Sequence, residues 1–581
     1  MDRQEKELYL FLFFMPFLVG GYLVFSSALA ACFLLFFLCR KAEKEAKKEA
    51  FDQTFPALAL LPVIFLLAGF WGVDRGQAAF GFVKFVPLPL FLLALRRIPA
   101  GKRERLWDAV PAGGWIMTIV SILLWCTPSL REWVQVNGRL AGFFQYPNTY
   151  AVYLLCGILL LAGREAGQKR WYLAEYPVLA AGILLSGSRT AIGLAVAATV
   201  LLLHKRGKGS IRRIFPVLAG GSILALALFA ATGNLAVLKR YAVLPLQSST
   251  FLGRLLYAAD ALPVVAGHPL GLGYEGYRFL QGSFQSGVYA VRHVHNELLQ
   301  LLLDVGWLPA VVLLYALWKT FGRLGFHKRM VFSVLLLHSL FDFDFQFLSI
   351  GLILVFLMAE GEEAELCVSG KRGIWRTRRK SIKKPVRNQN GKTGAFGGWG
   401  SRLGAVFLAV FCLWIGTADF LAYIKKPEAV VRIYPAHTKS LMELLKQAET
   451  PEEMEQIADR ILRYNESVSL AYDAKGNVAF TEGDAEKMIA CKLRAIALAR
   501  YEREEYEDYL ERLFTFIRLY QNAGMTKSAS YCRKRLLEIP DMLEEVKETT
   551  SSLGWMIYDK PELELTKRMQ SVIRLVRESE P

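Results

Sequence analysis

The stretch "GVYAVRHVHNELLQLLLDVGW" (residues 287–307) places a polar cluster directly before an apolar run. The chain has only seven histidines in 581 residues, and two of them lie in this cluster. Its members are Arg292, His293, His295 and Asn296. An apolar run of about 20 residues is long enough to cross a bilayer as a helix. The stretch therefore indicates a membrane protein with ionisable groups at the edge of a span.

Apolar runs of about 16–25 residues recur through residues 1–424, and each is long enough for a membrane helix. Hydrophobic residues make up 54% of the chain and the mean hydropathy is +0.29, higher than we expect for a soluble protein of this size. From about residue 425 the sequence becomes charged. We therefore predict an all-α fold with two domains, a polytopic membrane domain (1–424) and a C-terminal soluble helical domain (425–581).

The distribution of basic residues predicts which side of the membrane each loop faces. The net charge is +18, but Lys and Arg cluster in short loops between the apolar runs, as the positive-inside rule requires, so we expect no nucleic-acid partner. The basic loops lie at 39–50, 96–106, 163–170, 204–213, 319–329 and 371–392. We predict spans at 54–71, 79–95, 112–128, 148–163, 171–188, 189–203, 214–232, 297–318, 330–346, 348–359 and 403–424. Two spans separate each basic loop from the next, so all six loops fall on the cytoplasmic side.

The first apolar stretch, residues 8–39, fits either two short helices or one long tilted span. The total is therefore about 12–13 transmembrane helices in the cytoplasmic (inner) membrane. In either case the span at 403–424 starts from a cytoplasmic basic loop at 360–402. The C-terminal domain is therefore expected to be extracytoplasmic.

This topology places three loops on the outer face, at 128–148, 186–190 and 233–296. The last is about 64 residues long, and a structureless loop of that length tends to be functional. Its glycine-rich segment 267–277 lacks the strand and helix of a dinucleotide-binding unit, so we interpret it as tight turns.

Arginines and a histidine collect on this outer face. Arg139, Arg189 and Arg254 each fit two interpretations, because an arginine at a membrane edge often only contacts lipid headgroups. Together they favour a site for phosphate or diphosphate oxygens. His295 beside them titrates near neutral pH and can remove a proton from a hydroxyl.

A second polar group lies at "HSLFDFDF" (338–345). His338 and Asp342 are four residues apart, so we expect them on one helical face near the outer end of a span. They could support the site or contact substrate. The interpretation that we favour from sequence alone is a structural polar clasp between helices.

Ordered segments from about residue 130 to 350 resemble the O-antigen ligase / polysaccharide polymerase family of membrane glycosyltransferases. The matching stretches include "GRLAGFFQYPNTYAVYLL" (138–155), "LLSGSRTAIGLAV" (184–196), "FLGRLLYAAD" (251–260), "HVHNELLQLLLDVGWLPAVVLL" (293–314) and "LHSLFDFDFQ" (337–346). The resemblance implies transfer of glycan from a polyprenyl diphosphate carrier. It implies diphosphate binding by Arg189 and Arg254 and a catalytic base at His295.

The residues themselves predict the same chemistry. An extracytoplasmic site has no nucleotide sugars, so the donor must be a lipid-diphosphate-linked glycan. Arginines would stabilise the leaving diphosphate, with Arg139 as a third, and His295 would act as base. His293 is the alternative base, and Arg292 and Asn296 are candidate supporting residues. No metal-ligand spacing is present, so we predict neither a metal nor a cofactor.

The acceptor stays open at this point: glycan, lipid or protein. The alternative functions are a protein O-oligosaccharyltransferase with the same donor and, from another class, a flippase or transporter of lipid-linked glycan. A non-catalytic scaffold that presents the C-terminal domain would tolerate the loss of His295.

The C-terminal domain contains two predicted helix pairs, 471–500 and 506–540, with turns at "EGD" and "AGM". They fit either a tetratricopeptide-like repeat or a generic helical bundle. We expect such a surface to bind the acceptor or proteins of polysaccharide assembly.

Overall fold

The computed structural model of the chain is almost entirely helical. It describes residues 1–40, 54–164, 172–206, 211–232, 237, 240–241, 248–361 and 399–578. Within these ranges the only strands are β1 (Gln135–Val136) and β2 (Arg139–Leu140), which pair antiparallel. The predicted helical fold is confirmed.

The principal helices before residue 424 are α1 (Arg3–Phe14), α2 (Val24–Cys39), α3 (Thr54–Leu67), α4 (Ala78–Phe85), α5 (Pro87–Arg96), α6 (Ala109–Cys126), α7 (Pro147–Ala162), α8 (Tyr172–Ser186), α9 (Arg189–Arg206), α10 (Ile211–Thr232), α11 (Ser249–Gly267), α12 (Gly276–Phe284), α13 (Glu297–Val305), α14 (Trp307–Arg323), α15 (Phe326–Ser339), α16 (Leu348–Gly361) and α17 (Trp399–Tyr423). Most of them pack around one large apolar core, while α11 and α12 contribute to smaller separate clusters.

Three helical segments in the described ranges are long and apolar enough to cross a membrane: Arg75–Arg96, Ala100–Cys126 and Gly400–Tyr423. Shorter apolar helices accompany them at Val24–Cys39, Thr54–Leu67, Pro147–Ala162, Glu175–Ser186, Ala219–Ala230 and Leu348–Gly361. These helices agree with a membrane protein, while the total of 12–13 spans stays a prediction. The basic segments 41–50, 165–170, 207–210 and 371–392 lie outside the described residues.

Residues 8–39 form two helices rather than one. Between α1 and α2 lie two short 3₁₀ turns, and Gly20 and Gly21 in the second have φ of 64° and 80°. A side chain at Gly21 would lie 2.6 Å from the Cβ of Leu348, so the close approach requires glycine. Lys84, an isolated charge in the sequence, donates to the carbonyl of Gly21 at 3.0 Å and to that of Tyr22. The break therefore exposes carbonyls that a buried ammonium satisfies.

The predicted span at 297–318 is also interrupted. Gly306, with φ of 78°, separates α13 from α14. The glycine-rich turn docks on this break, where the amides of Leu272 and Gly273 donate to the carbonyls of Leu303 and Asp304 at 2.6 and 3.1 Å. A hydropathy window averages over one glycine, so it missed the break.

The loop 233–296, which the sequence predicts to face outward, is not structureless where it is described. Residues 248–296 contain α11 and α12, and both carry buried apolar side chains that pack together with Val294 and Leu303. The segment before residue 248 is described only at 237 and 240–241.

The C-terminal region, residues 427–578, consists of further helices with two apolar cores of their own. They are α18 (Pro427–Ile433), α19 (Thr438–Leu445), α20 (Pro451–Tyr464), α21 (Ser469–Glu482), α22 (Ala485–Leu498), α23 (Arg503–Asn522), α24 (Thr526–Leu537), α25 (Ile539–Thr549), α26 (Ser552–Met556) and α27 (Lys567–Glu578). The two predicted helix pairs are present, with Gly483 and Gly524 at positive φ in their turns. A tetratricopeptide-like repeat stays a prediction, as does the division into two domains.

Candidate active site

The segment that carries His295 is held on both sides. The amide of Val294 donates to the Gln300 side chain at 2.9 Å. Asn296 caps α13, accepting from the Leu299 amide at 3.0 Å, and its own amide donates to the Leu340 carbonyl at 3.0 Å. His295 between them has φ of 55°, a left-handed conformation that costs energy in a residue other than glycine. Such strain, held in place by its neighbours, is typical of functional sites.

Asp342 joins the residues that the sequence predicted for the base and the diphosphate site. Its buried carboxylate accepts from Arg254 Nη2 at 3.1 Å and lies 3.5 Å from His295 Nδ1. It also accepts from the Tyr146 hydroxyl at 2.6 Å and the Asn148 amide at 2.7 Å. A buried carboxylate needs such partners. One carboxylate therefore bonds a guanidinium and lies beside an imidazole.

The other arginines lie around this centre. Arg139 donates to the Ser186 carbonyl at 2.7 Å and to the Asn148 side chain at 2.6 Å. Arg189 donates to the Ser248 hydroxyl at 2.9 Å. Asn148 thus links Arg139 to Asp342. Arg189 lies near enough to Arg254 for their charges to repel each other.

Arg240 is a fourth arginine of this group, and the sequence analysis did not single it out. Its Nε donates to the Gly187 carbonyl at 3.0 Å, next to the turn that carries Arg189. Burial lowers the pKa of Arg240, and repulsion from Arg189 and Arg254 lowers it further. Burial, with repulsion from Arg240, lowers the pKa of Arg139 to about 10. The guanidiniums lie close enough to repel one another. They therefore concentrate positive charge in one place, as a diphosphate site requires.

His293 faces a different environment from His295. It is buried, and its Nε2 lies 3.4 Å from the Tyr22 hydroxyl. Burial, together with the charge of Arg292, lowers its pKa well below the usual range, so the imidazole is neutral. His295 is the better placed base, because its Nδ1 lies 3.5 Å from the Asp342 carboxylate. Arg292 itself donates to Tyr22 at 3.0 Å and forms an ion pair with Glu275.

The expectation that His338 and Asp342 share a helical face is wrong. α15 ends at Ser339, so Asp342 lies beyond the helix, and His338 pairs instead with Asp344 at 2.6 Å. Asp344 also accepts from the Thr149 hydroxyl on α7 at 2.7 Å. The polar clasp between helices is therefore formed by His338 and Asp344, while Asp342 contacts the arginine and histidine of the site.

Sequence signals for the missed residues exist in retrospect. Tyr146 and Asn148 flank Pro147 at the first turn of α7, where polar side chains precede an apolar run. Arg240 is a basic residue in a loop assigned to the outer face, where the positive-inside rule disfavours it. A basic residue that violates the rule is a candidate for function.

An apolar groove of about 430 Å³ runs beside the site. It is lined by side chains of α3, α13, α14, α15 and α16, among them Leu61, Leu301, Leu317, Leu336 and Leu354. Leu298 and Leu340 are among its lining residues, and the Leu340 carbonyl accepts from Asn296. Trp318 and Leu337 also line it and are 69% and 49% exposed, so the groove is open to the surface. The groove suits a long apolar chain whose polar end lies at the His295 segment.

The family model for O-antigen ligase matches residues 178–315. The match confirms the resemblance over a range that contains Arg189, Arg240, Arg254 and the polar cluster 292–296. It supports a membrane glycosyltransferase-type role in polysaccharide biosynthesis, with a lipid-linked glycan donor and a glycan acceptor in general terms. No curated protein and no solved structure matches the chain.

Proposed function

From the O-antigen ligase match as the premise, we propose that the protein transfers or polymerises oligosaccharide from a polyprenyl-diphosphate donor to an acceptor hydroxyl. The reaction takes place at the outer face of the cytoplasmic membrane. The observation that carries this proposal is the contact of one carboxylate, Asp342, with both Arg254 and His295. A group for the leaving diphosphate and a group for the acceptor proton thus lie beside the same carboxylate.

The arginines stabilise the diphosphate as the anomeric C–O bond breaks. Arg139, Arg189, Arg240 and Arg254 supply planar donors that suit phosphate oxygens, and a low-dielectric position strengthens each interaction. Negative charge develops on the leaving oxygen during the step. Preformed positive charge at that point lowers the barrier more than it favours the bound donor.

His295 removes the proton of the attacking hydroxyl. With Nδ1 directed to Asp342, Nε2 is left for the acceptor. The carboxylate holds the ring in orientation and stabilises the imidazolium that forms, as the aspartate does in a serine-protease triad. The glycan moves to the acceptor oxygen, the carrier leaves as polyprenyl diphosphate, and the proton passes to the imidazole.

The apolar groove accommodates the isoprenoid chain of the donor. The chain enters the groove from the bilayer, which is equally apolar, so close packing against the lining side chains would hold the carrier there. Because Leu298 and Leu340 line the groove beside Asn296, a chain bound there would place its diphosphate near the His295 segment.

The broken helices also favour a second candidate, a transporter of lipid-linked glycan. The charges at those breaks are satisfied internally: Lys84 by the carbonyls of Gly21 and Tyr22, and Asp304 by the Gln300 amide at 2.8 Å. The Asp342 group lies instead beside the outer-face loop. This distribution favours chemistry at the surface over passage through the bilayer.

The test uses the full-length protein in nanodiscs with polyprenyl-diphosphate-linked glycan from its host. Wild type is compared with His295→Ala, Arg254→Ala and the matched control His268→Ala, whose imidazole bonds to the Val264 carbonyl. We expect wild type and the control to release polyprenyl diphosphate and form product, and both site variants to lose at least 100-fold in rate. Full activity in His295→Ala would disprove the assigned base.

A further inference from the structure

Lys439, in the C-terminal region, is linked through Glu275 to the segment that carries His295. Glu275 is buried, with φ of 59°, and it forms ion pairs with Arg292 and with Lys439 at the start of α19. Arg278 lies farther away, at 3.8 Å. Burial raises the pKa of the Glu275 carboxyl, but the charges of Arg292 and Lys439 outweigh burial and hold the pKa below its usual range. The carboxylate is therefore charged and depends on both cations.

Lys439 is held in position because the chain around it packs against residues 74–76. Its neighbour Thr438 donates to Asp74 at 3.0 Å, and Tyr434 donates to the Gly76 carbonyl at 2.8 Å. A Cβ at Gly76 would lie 2.0 Å from the Ala436 carbonyl oxygen, so the two segments approach as closely as backbones can. The contact is a built junction, in which the lysine has a fixed place.

A second junction ties the C-terminal region to the helix that carries Arg254. On α11, Asp260 accepts from the Ser286 hydroxyl at 2.6 Å, and the Ser286 carbonyl accepts from the Ser551 amide at 2.9 Å. The Tyr558 amide donates to Ser249, at the start of α11, at 2.8 Å. Both elements that carry site residues thus rest on the C-terminal region.

We propose that Lys439 is a positioning residue for the transfer reaction: through Glu275 and Arg292 it holds residues 292–295 in the geometry that His295 requires. The inference rests on the proposed function. It assigns the C-terminal helices to the catalytic unit, in addition to any part in binding an acceptor. His295 has a strained backbone, and strain persists only where the surroundings over-determine the conformation.

The proposal predicts which kinetic constant changes. The arginines and the groove that hold the donor do not involve Lys439, whereas the orientation of the base does. Loss of Lys439 leaves Glu275 with one fewer cation and loosens Arg292. Displacement of a catalytic group by about 1 Å can cost 100-fold in rate. A fall in kcat with little change in the donor KM is therefore expected.

The experiment measures kcat and donor KM of the full-length protein as Lys439→Met, Lys439→Arg and the control Lys446→Met, whose partner is Glu443 in the same helix. We expect Lys439→Met to lower kcat at least 10-fold with donor KM within twofold. Lys439→Arg restores most of kcat, and the control equals wild type. Glu275→Gln is the second variant, and we expect it to lower kcat in the same way. It tests the proposal if Lys439→Met does not accumulate as folded protein.

Each outcome decides a separate point. If wild type is active and Lys439→Met and Glu275→Gln both match the control, the positioning role is overturned while the proposed function stands. A change confined to acceptor KM would also overturn it, because it would mean acceptor binding. If wild type transfers nothing, the proposed function fails and this inference with it.

Discussion

Asp342 is the residue on which the chemistry of the site depends most, because four side chains share its two oxygens. In Asp342→Asn the negative charge is lost, the imidazolium is no longer stabilised and an amide faces the guanidinium of Arg254. We expect kcat to fall at least 100-fold while the protein stays folded, by analogy with the aspartate of a serine-protease triad. The measurement is the rate of polyprenyl diphosphate release.

Asp344→Asn is the contrasting variant. Asp344 contacts His338 and Thr149 and joins two helices. We expect it to lower the thermal unfolding midpoint and leave kcat of the folded protein within threefold. If instead Asp344→Asn abolished kcat and Asp342→Asn did not, the two roles would be reversed.

Arg240 gives a prediction that the sequence alone did not suggest. A charge-assisted hydrogen bond to phosphate is worth about 1.5–3 kcal/mol, so Arg240→Ala should lower kcat/KM for the donor about 10- to 100-fold. Arg131→Ala is the matched control, because Arg131 belongs to a loop also predicted to face outward and donates to the Trp125 carbonyl at 2.9 Å. Equal activity of the two variants would remove Arg240 from the diphosphate site.

At this scale the sequence could predict residue types but not partners. His295 and Arg189 stand at loop–helix boundaries, and the resemblance singles them out together with Arg254. The pairing of Asp342 with Arg254 joins residues 88 positions apart. It depends on α15 ending at Ser339, which no helical periodicity predicts, because the apolar pattern continues through "LFDFDF".

Among the helices, the break at Gly306 is the element most directly tied to the site. A Cβ there would lie 2.2 Å from the Pro269 carbonyl oxygen, and φ is 78°. Gly306→Ala should therefore lower the free energy of unfolding by more than about 1 kcal/mol and displace α13. The thermal unfolding midpoint and the rate of polyprenyl diphosphate release both report it.

Gly322→Ala is the control, since nothing lies within 4 Å of an added Cβ at that position in α14. Alanine is the better helix former, so the thermal unfolding midpoint of Gly322→Ala should equal or exceed that of wild type. A stable Gly306→Ala variant would mean that the glycine-rich turn does not fix α13.

Helix existence was predictable from apolar runs, and helix breaks were not. Hydropathy detects burial over about 20 residues. The breaks at Gly20–Gly21 and Gly306 depend on backbone contacts with Leu348 and Pro269, which are distant in sequence. Tertiary contacts of this kind are absent from any local pattern.

For the whole molecule, the C-terminal helices give a prediction about pH. Burial, reinforced by Asp473, raises the pKa of Glu505 to about 7. The unfolded chain has a Glu pKa of about 4.3. At a pH between these two pKa values, the folded state therefore keeps a proton that the unfolded state has lost. The free energy of unfolding falls as pH rises from about 4 to 7.

Glu505→Gln mimics the protonated carboxyl and should remove this loss. We expect its thermal unfolding midpoint to exceed that of wild type at pH 8 and to equal it at pH 4. The difference in unfolding free energy is at most about 3 kcal/mol, reduced by solvent screening. Glu504→Gln, an exposed neighbour, should change neither midpoint. An equal gain at both pH values would contradict the linkage to proton binding.

The central claim is that glycan transfer consumes a lipid-diphosphate donor at this site. The most direct measurement is the number of polyprenyl diphosphate molecules released per glycosidic bond formed, in nanodiscs that contain wild type or His295→Ala. The proposed function predicts a ratio of one for wild type and neither product for the variant. Intact donor recovered with wild type, or equal release by His295→Ala, would contradict it.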